Sequence, residues 1–155
     1  MKVLTALLII SLPTFAQPYF AIGLQNKGFN MSTGILADKI DVQIRFKVPL
    51  TSAEESKQLS ATIGRMILIS NNDDDNYSIT PSIGAAWLKS TDFTEYDLNP
   101  NKGPVAVQKF KPVYALELGK DAYNGRLSLT AQYSDKMYWG VNLRVFFWKL
   151  KKYSR

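Results

Sequence analysis

The chemistry open to this chain is set by carboxylates and arginines, because its 155 residues include no histidine and no cysteine. Ser-His-Asp and Cys-His catalysis and the common zinc sites are therefore excluded. Disulfide staples and a lipid-bearing cysteine are excluded with them. Asp41 and Glu117 are the type of pair that does general acid–base work. Nothing in the sequence places a substrate beside them, and pairing with Arg45, Arg126 and Arg144 accounts for both. Asp73, Asp74 and Asp75 offer oxygen ligands to calcium, but the run NNDDDN lacks the glycine and distal glutamate of an EF-hand loop. A solvated turn is the expectation there. No enzyme, no cofactor and no metal site is predicted; the charges read as electrostatic structure.

Extended chain must position those charges. Lys39–Leu50, KIDVQIRFKVPL, sets Ile40, Val42, Ile44, Phe46 and Val48 on one side and Asp41, Gln43, Arg45 and Lys47 on the other. Strand side chains alternate faces with a period of two, so this is a strand with two different surroundings. The same alternation predicts further strands over Pro18–Gln25, Gln58–Ser70, Tyr77–Leu88, Phe110–Gly119, Arg126–Tyr133 and Met137–Phe147, with another of poor alternation around Phe29–Ala37. In the fourth, Arg65 falls on the apolar side, which calls for a bulge unless the face assignment fails. Pro81 lacks a donor in mid-strand and predicts a bulge or irregular pairing. Long loops are expected at Pro49–Lys57 and Lys89–Lys109, and short turns at Ala37–Lys39, Asp121–Gly125 and Ser134–Lys136.

The segment before the first strand reads as an export signal. Met1-Lys2, an apolar run from Val3 to Pro13, and Thr14-Phe15-Ala16 give a signal peptide over residues 1–16. The run is shorter than the roughly 20 residues of a helical span. Residues 17–148 then form one barrel, and 149–155 a basic tail. Lys149, Lys151, Lys152 and Arg155 suit anionic headgroups or a partner, or a free tail equally well. The formal net charge of +6 fits anionic surfaces or ordinary surface charge, and nothing points to nucleic acid.

All-β, eight-stranded antiparallel up-and-down closure suits this pattern, because a barrel leaves no unpaired edge. Alternation alone does not say which face is outside. A soluble lipocalin-like barrel would hold an apolar ligand against an apolar interior; a transmembrane barrel would turn that face to lipid. The polar face favours the second, being mostly Gly, Ala, Ser and Thr with Asp41, Arg45, Glu117, Arg126 and Arg144 as a lumen network. Such a lumen is read as a salt-bridged plug, with a narrow pore as the alternative. Two aromatic girdles follow: Phe20, Tyr77 and Phe147 below, and Phe46, Trp87, Phe110, Tyr133 and Trp139 above. Phe93, Tyr96 and Leu98 in the longest loop are the candidate external contacts.

The last strand, YWGVNLRVFF, resembles the C-terminal strand of the small eight-stranded outer-membrane barrels of the OmpA/OmpX type. Tyr138, Gly140, Leu143, Val145 and Phe147 carry the likeness. The resemblance implies residence in the outer membrane of a Gram-negative bacterium, contact with its lipid, and recognition of this strand by the barrel-assembly machinery. It further implies a structural or accessory role, with an envelope protein as possible partner. The family usually ends at the aromatic, whereas this chain continues from Trp148 to Arg155.

Overall fold

The structure, a computed structural model, describes residues 16–26, 28–50, 57–71, 76–92, 105–122 and 125–147. Among them run nine strands: β1 (Ala16–Gln25), β2 (Gly28–Ala37), β3 (Ile40–Pro49), β4 (Lys57–Arg65), β5 (Ile67–Asn71), β6 (Asn76–Asp92), β7 (Val105–Ala122), β8 (Gly125–Tyr133) and β9 (Met137–Phe146). Each pairs antiparallel with its neighbours in the order β4-β3-β2-β1-β9-β8-β7-β6-β5, and a β4–β6 pairing closes the ring. Since β4 and β5 are two halves of one stave, this is a closed barrel of eight staves. Closure satisfies the backbone groups that an open edge would expose.

The irregularities have local causes. The break between β4 and β5 at Met66 lies opposite Thr80 and Pro81, where the ring nitrogen has no proton to give. On the other side of the stave, Met66 N–H donates to the Lys39 carbonyl at 2.6 Å, which carries the β3–β4 register one residue further. The pairing with β6 keeps the same register across this break, and β6 pairs regularly with β7 through Pro81. Arg65 therefore keeps its outward face and the bulge expected there does not form; the register shifts only further on, between Leu68 and Ser70. In the two-residue turn between β2 and β3, Asp38 and Lys39 have φ of 43° and 71°. Positive φ at both positions is the primed turn that matches strand twist.

Strands β6 and β7 run further than the alternation suggested. Their ladder continues through Lys89↔Gln108 to Asp92↔Val105, so much of the predicted 89–109 loop is hairpin. β8 leaves β7 at Tyr114↔Tyr133, so this hairpin projects past its neighbour, with Gln108, Lys109 and Lys111 exposed. Gln108 and Lys109, on opposite faces of β7, are both exposed there, so the pressure for a period of two is gone.

The distribution of burial is inside out. Ile40, Ile44, Leu129 and Val141 are 48%, 53%, 60% and 45% exposed, while Arg45 is 6% and Arg126 1%. A soluble barrel around an apolar ligand requires the reverse, and that alternative is excluded. Among the described residues, inward apolar side chains gather mainly in two small clusters. Tyr19, Ala21, Leu36, Met66 and Phe146 form a floor at the β1-start end, and Ala86, Leu88 and Val113 pack higher up.

Candidate functional site

Asp41, Arg45, Glu117, Arg126 and Arg144 all point into the lumen and are buried, but they do not form one contact network. Arg144 on β9 is the centre of the largest group. Its Nη1 donates to Asp41 Oδ2 at 2.8 Å and its Nη2 to Glu117 Oε2 at 3.0 Å. Three distant strands, β9, β3 and β7, thus meet at one guanidinium, whose planar fork suits two carboxylates at once. Tyr19 adds a fourth strand: its hydroxyl donates to Asp41 Oδ1 at 2.6 Å, and its ring lies 4.0 Å from the Arg144 guanidinium. Gly34, opposite Tyr19, makes this possible, because a Cβ there would collide with the phenol.

Arg45 is held separately. It donates to Gln132 Oε1 at 2.7 Å and Gln43 Oε1 at 2.9 Å, and Gln43 donates in turn to Ser32 Oγ at 2.8 Å. Arg126 turns away from the others to Asp121, with Nη2 donating to Oδ2 at 3.1 Å and also lying 3.0 Å from Met66 Sδ. Asp121 is not among the inward charges expected from the alternation, although the register Asp121↔Arg126 across the short turn expected at Asp121–Gly125 brings the two together. Phe146, whose ring lies 5.9 Å from the Arg126 guanidinium, joins the floor beneath.

Towards the other end, the buried carboxamides of Gln25, Asn30 and Gln58 have no hydrogen-bond partner among the described residues. Beside them Lys47 Nζ sits 3.3 Å from the centroid of the Tyr138 ring. The Tyr138 hydroxyl continues outward to Asp135 Oδ1 at 2.9 Å. The same oxygen accepts from Ser134 Oγ and from Lys136 N–H, each at 2.9 Å, so one carboxylate staples the short 134–136 turn. Partial burial pushes the Asp135 carboxyl up, but the hydrogen bonds from Tyr138, Ser134 and the backbone outweigh it and hold it below its ordinary value.

All eight aromatics Phe20, Tyr77, Phe147, Phe46, Trp87, Phe110, Tyr133 and Trp139 face outward and are exposed. Phe46, Trp87 and Phe110 share one cross-strand row with Leu59. In β9 Tyr138 and Gly140 occupy inward positions and Leu143 and Val145 outward ones, with Phe147 outward just beyond. A Cβ at Gly140 would strike the Leu24 carbonyl and Gln25, so only glycine lets β9 close against β1. Phe93, Tyr96, Leu98, the three aspartates 73–75, the basic tail and residues 1–15 lie outside the described residues. Among the described residues no group of three or more His, Cys, Asp or Glu could hold a metal ion.

No family model and no curated protein matches this sequence. Solved structures do match in fold. The N-terminal β-barrel domain of Pseudomonas aeruginosa OprF is similar with a TM-score of 0.54 at 15% identity, over 84% of this chain and 96% of that one. Yersinia pestis outer membrane protein Ail in a phospholipid bilayer nanodisc gives 0.54 at 15%, over 85% and 99%. Neisserial surface protein A gives 0.50 at 10%, over 86% and 96%. The chain has the fold of the small eight-stranded outer-membrane β-barrels.

Proposed function

We propose that this protein is a non-enzymatic, non-conducting barrel of the outer membrane of a Gram-negative bacterium. It serves as a structural element or as an accessory to a surface complex. Its contacts are made by the extracellular loops, with Phe93, Tyr96 and Leu98 as anchors. The observation that carries this reading is the filled lumen: Arg144 ion-paired to Asp41 and Glu117 above an apolar floor of Tyr19, Leu36, Met66 and Phe146. Charges paired with one another are poorly placed to hold a substrate, and an apolar floor opposes a wet path along the axis. Its outward apolar residues meet membrane lipid between the two aromatic bands, and the polar network is a plug. During biogenesis, Tyr138, Gly140, Leu143, Val145 and Phe147 present the last strand to the barrel-assembly machinery.

Envelope fractionation with a heat-modifiability gel tests residence: the folded protein is expected in the outer-membrane fraction with a mobility shift on boiling. Reconstitution in planar bilayers tests the plug. Silence at high protein is expected, and discrete conductance steps would replace this reading with that of a pore. Pull-down in detergent from native envelopes identifies the envelope partner.

A second reading has its own observation. Lys57 and Lys89 stand directly opposite each other across β4 and β6, and both are exposed; Lys109 and Lys111, on the other face of β7, are exposed as well. Like charges in register repel unless an anion lies between them. Ail, of the same fold, has a structure in complex with the heparin analogue sucrose octasulfate. Polyanion binding at the loop end is therefore the second reading. Retention on heparin resin that Lys57→Gln/Lys89→Gln abolishes is its expected result, and passage of the native protein through the resin removes it.

A further inference from the structure

Arg65 interrupts an otherwise uncharged surface. The outward positions of the barrel carry Lys57 and Lys89 at the loop end and Lys120 at the other end; between them, among the described residues, the one charged side chain is Arg65. It is exposed, with Ile63 and Ile67 above and below it on its stave and Ile40 paired beside it on β3. It makes no hydrogen bond or ion pair among the described residues. A guanidinium facing hydrocarbon is costly and marks a site when no protein group neutralises it.

The surface next to Arg65 is also shaped. A groove of about 570 Å³ runs beside it, walled by Ile40, Ile63, Pro81, Ile83 and Tyr114. Its cause is the same as that of the strand break. Pro81 leaves the ladder to β4 incomplete, and the floor is made of the small residues Gly64, Ser82 and Ala115. The groove is apolar along its length with a cation at its edge. That is the shape and charge pattern of a diacyl phospholipid: a phosphate for the fork of the guanidinium, and a hydrocarbon chain for the isoleucine wall. Arg65 lies level with Ile40, the first residue after the Asp38-Lys39 turn, which puts it towards the end where β1 begins.

We propose that Arg65 and this groove bind one phospholipid of the inner leaflet. The phosphate sits on the guanidinium, and an acyl chain lies along Ile40, Ile63 and Ile83. The site rests on the outer-membrane reading given above. Its recognition is of the phosphate and the chain together, so headgroups of different charge are accepted as long as the phosphodiester is present.

Native mass spectrometry of the full-length folded protein, released from mild detergent with dioleoyl phosphatidylglycerol or dioleoyl phosphatidylcholine, reads the site. One adduct per barrel with either lipid is expected, and no adduct with dioleoylglycerol. Arg65→Gln should weaken retention about tenfold, as loss of a charge-assisted contact implies, and Arg65→Lys by less. Ile83→Trp keeps the charge and fills the groove, and should also release the lipid. Inorganic phosphate in excess should not displace it. Equal retention by all variants, or displacement by phosphate alone, overturns the site. A dimer that Arg65→Gln dissolves shows a second copy on the groove and overturns it too. A heat-modifiability gel on each sample separates the outcomes: a barrel that shifts but keeps no lipid sinks this site alone, and one that never inserts sinks the outer-membrane reading.

Discussion

Replacing Arg144 with leucine removes the one group that joins β9 to Asp41 on β3 and Glu117 on β7. The two contacts, at 2.8 and 3.0 Å, involve side chains only 1%, 7% and 8% exposed. At an effective dielectric of about 20, each close pair attracts by roughly 6 kcal/mol before desolvation. Removing three charges from water offsets most of that gain, so the intact group contributes little net stability. The variant is different, because it strands two buried carboxylates without a cation, and losing one partner of a buried pair costs about 3–5 kcal/mol. The Tyr19 hydroxyl bond to Asp41 remains and softens the loss only in part. The assay is equilibrium urea unfolding of the refolded barrel in lipid vesicles, followed by tryptophan fluorescence and gel mobility. Arg144→Leu should lose about 3–5 kcal/mol. The triple variant Asp41→Asn, Glu117→Gln, Arg144→Leu should recover most of it. A single variant within about 1 kcal/mol of native would mean that the carboxylates are not stranded, since that is what a solvent-screened surface pair gives.

Other expectations follow from the turns. Lys39 holds φ of 71° with a side chain attached, so Lys39→Gly should stabilise the barrel by about 1 kcal/mol, read as a higher urea midpoint. A midpoint that falls would show that the side chain does more than strain the turn. At the 134–136 turn, the Asp135 carboxyl is held below its ordinary value by its hydrogen bonds. A depressed folded value contributes stability above the unfolded carboxyl range, which is lost as pH falls through the folded value. Proteolytic protection of the turn should therefore drop below about pH 4. Asp135→Asn should remove that pH dependence, and an unchanged profile would assign it to another group.

The strand pattern was readable because a barrel in hydrocarbon punishes every wrong-faced residue, so β1, β3, β8 and β9 alternate almost without exception. Reading failed where that pressure ends. Beyond Phe110, Gln108 and Lys109 on opposite faces of β7 are both exposed, and Lys89–Asp92 and Val105–Lys109 read as loop although they pair. Inside the barrel, inward Leu36, Met66 and Phe146 break the polar pattern because they meet one another at the floor. Identifying the inward charges needed only the period of two. Their partners needed the register, which decides that Arg144 meets Asp41 and Glu117 while Arg126 takes Asp121. The bulge expected at Arg65 is absent, because nothing forces that side chain inward. Arg65 stays outward, and the extra residue enters between Leu68 and Ser70, near the end of the stave.

Because the chain contains no cysteine, single spin labels can be placed anywhere on the barrel. Labels at Ile44→Cys, Leu129→Cys and Val141→Cys, in protein refolded into vesicles, measure which solvent each face meets. High collision rates with oxygen and low rates with a water-soluble nickel chelate are expected at all three. A label at the inward Gln132→Cys should be shielded from both. Outward labels that meet the chelate more readily than oxygen would contradict the claim that this cylinder turns its apolar face to lipid.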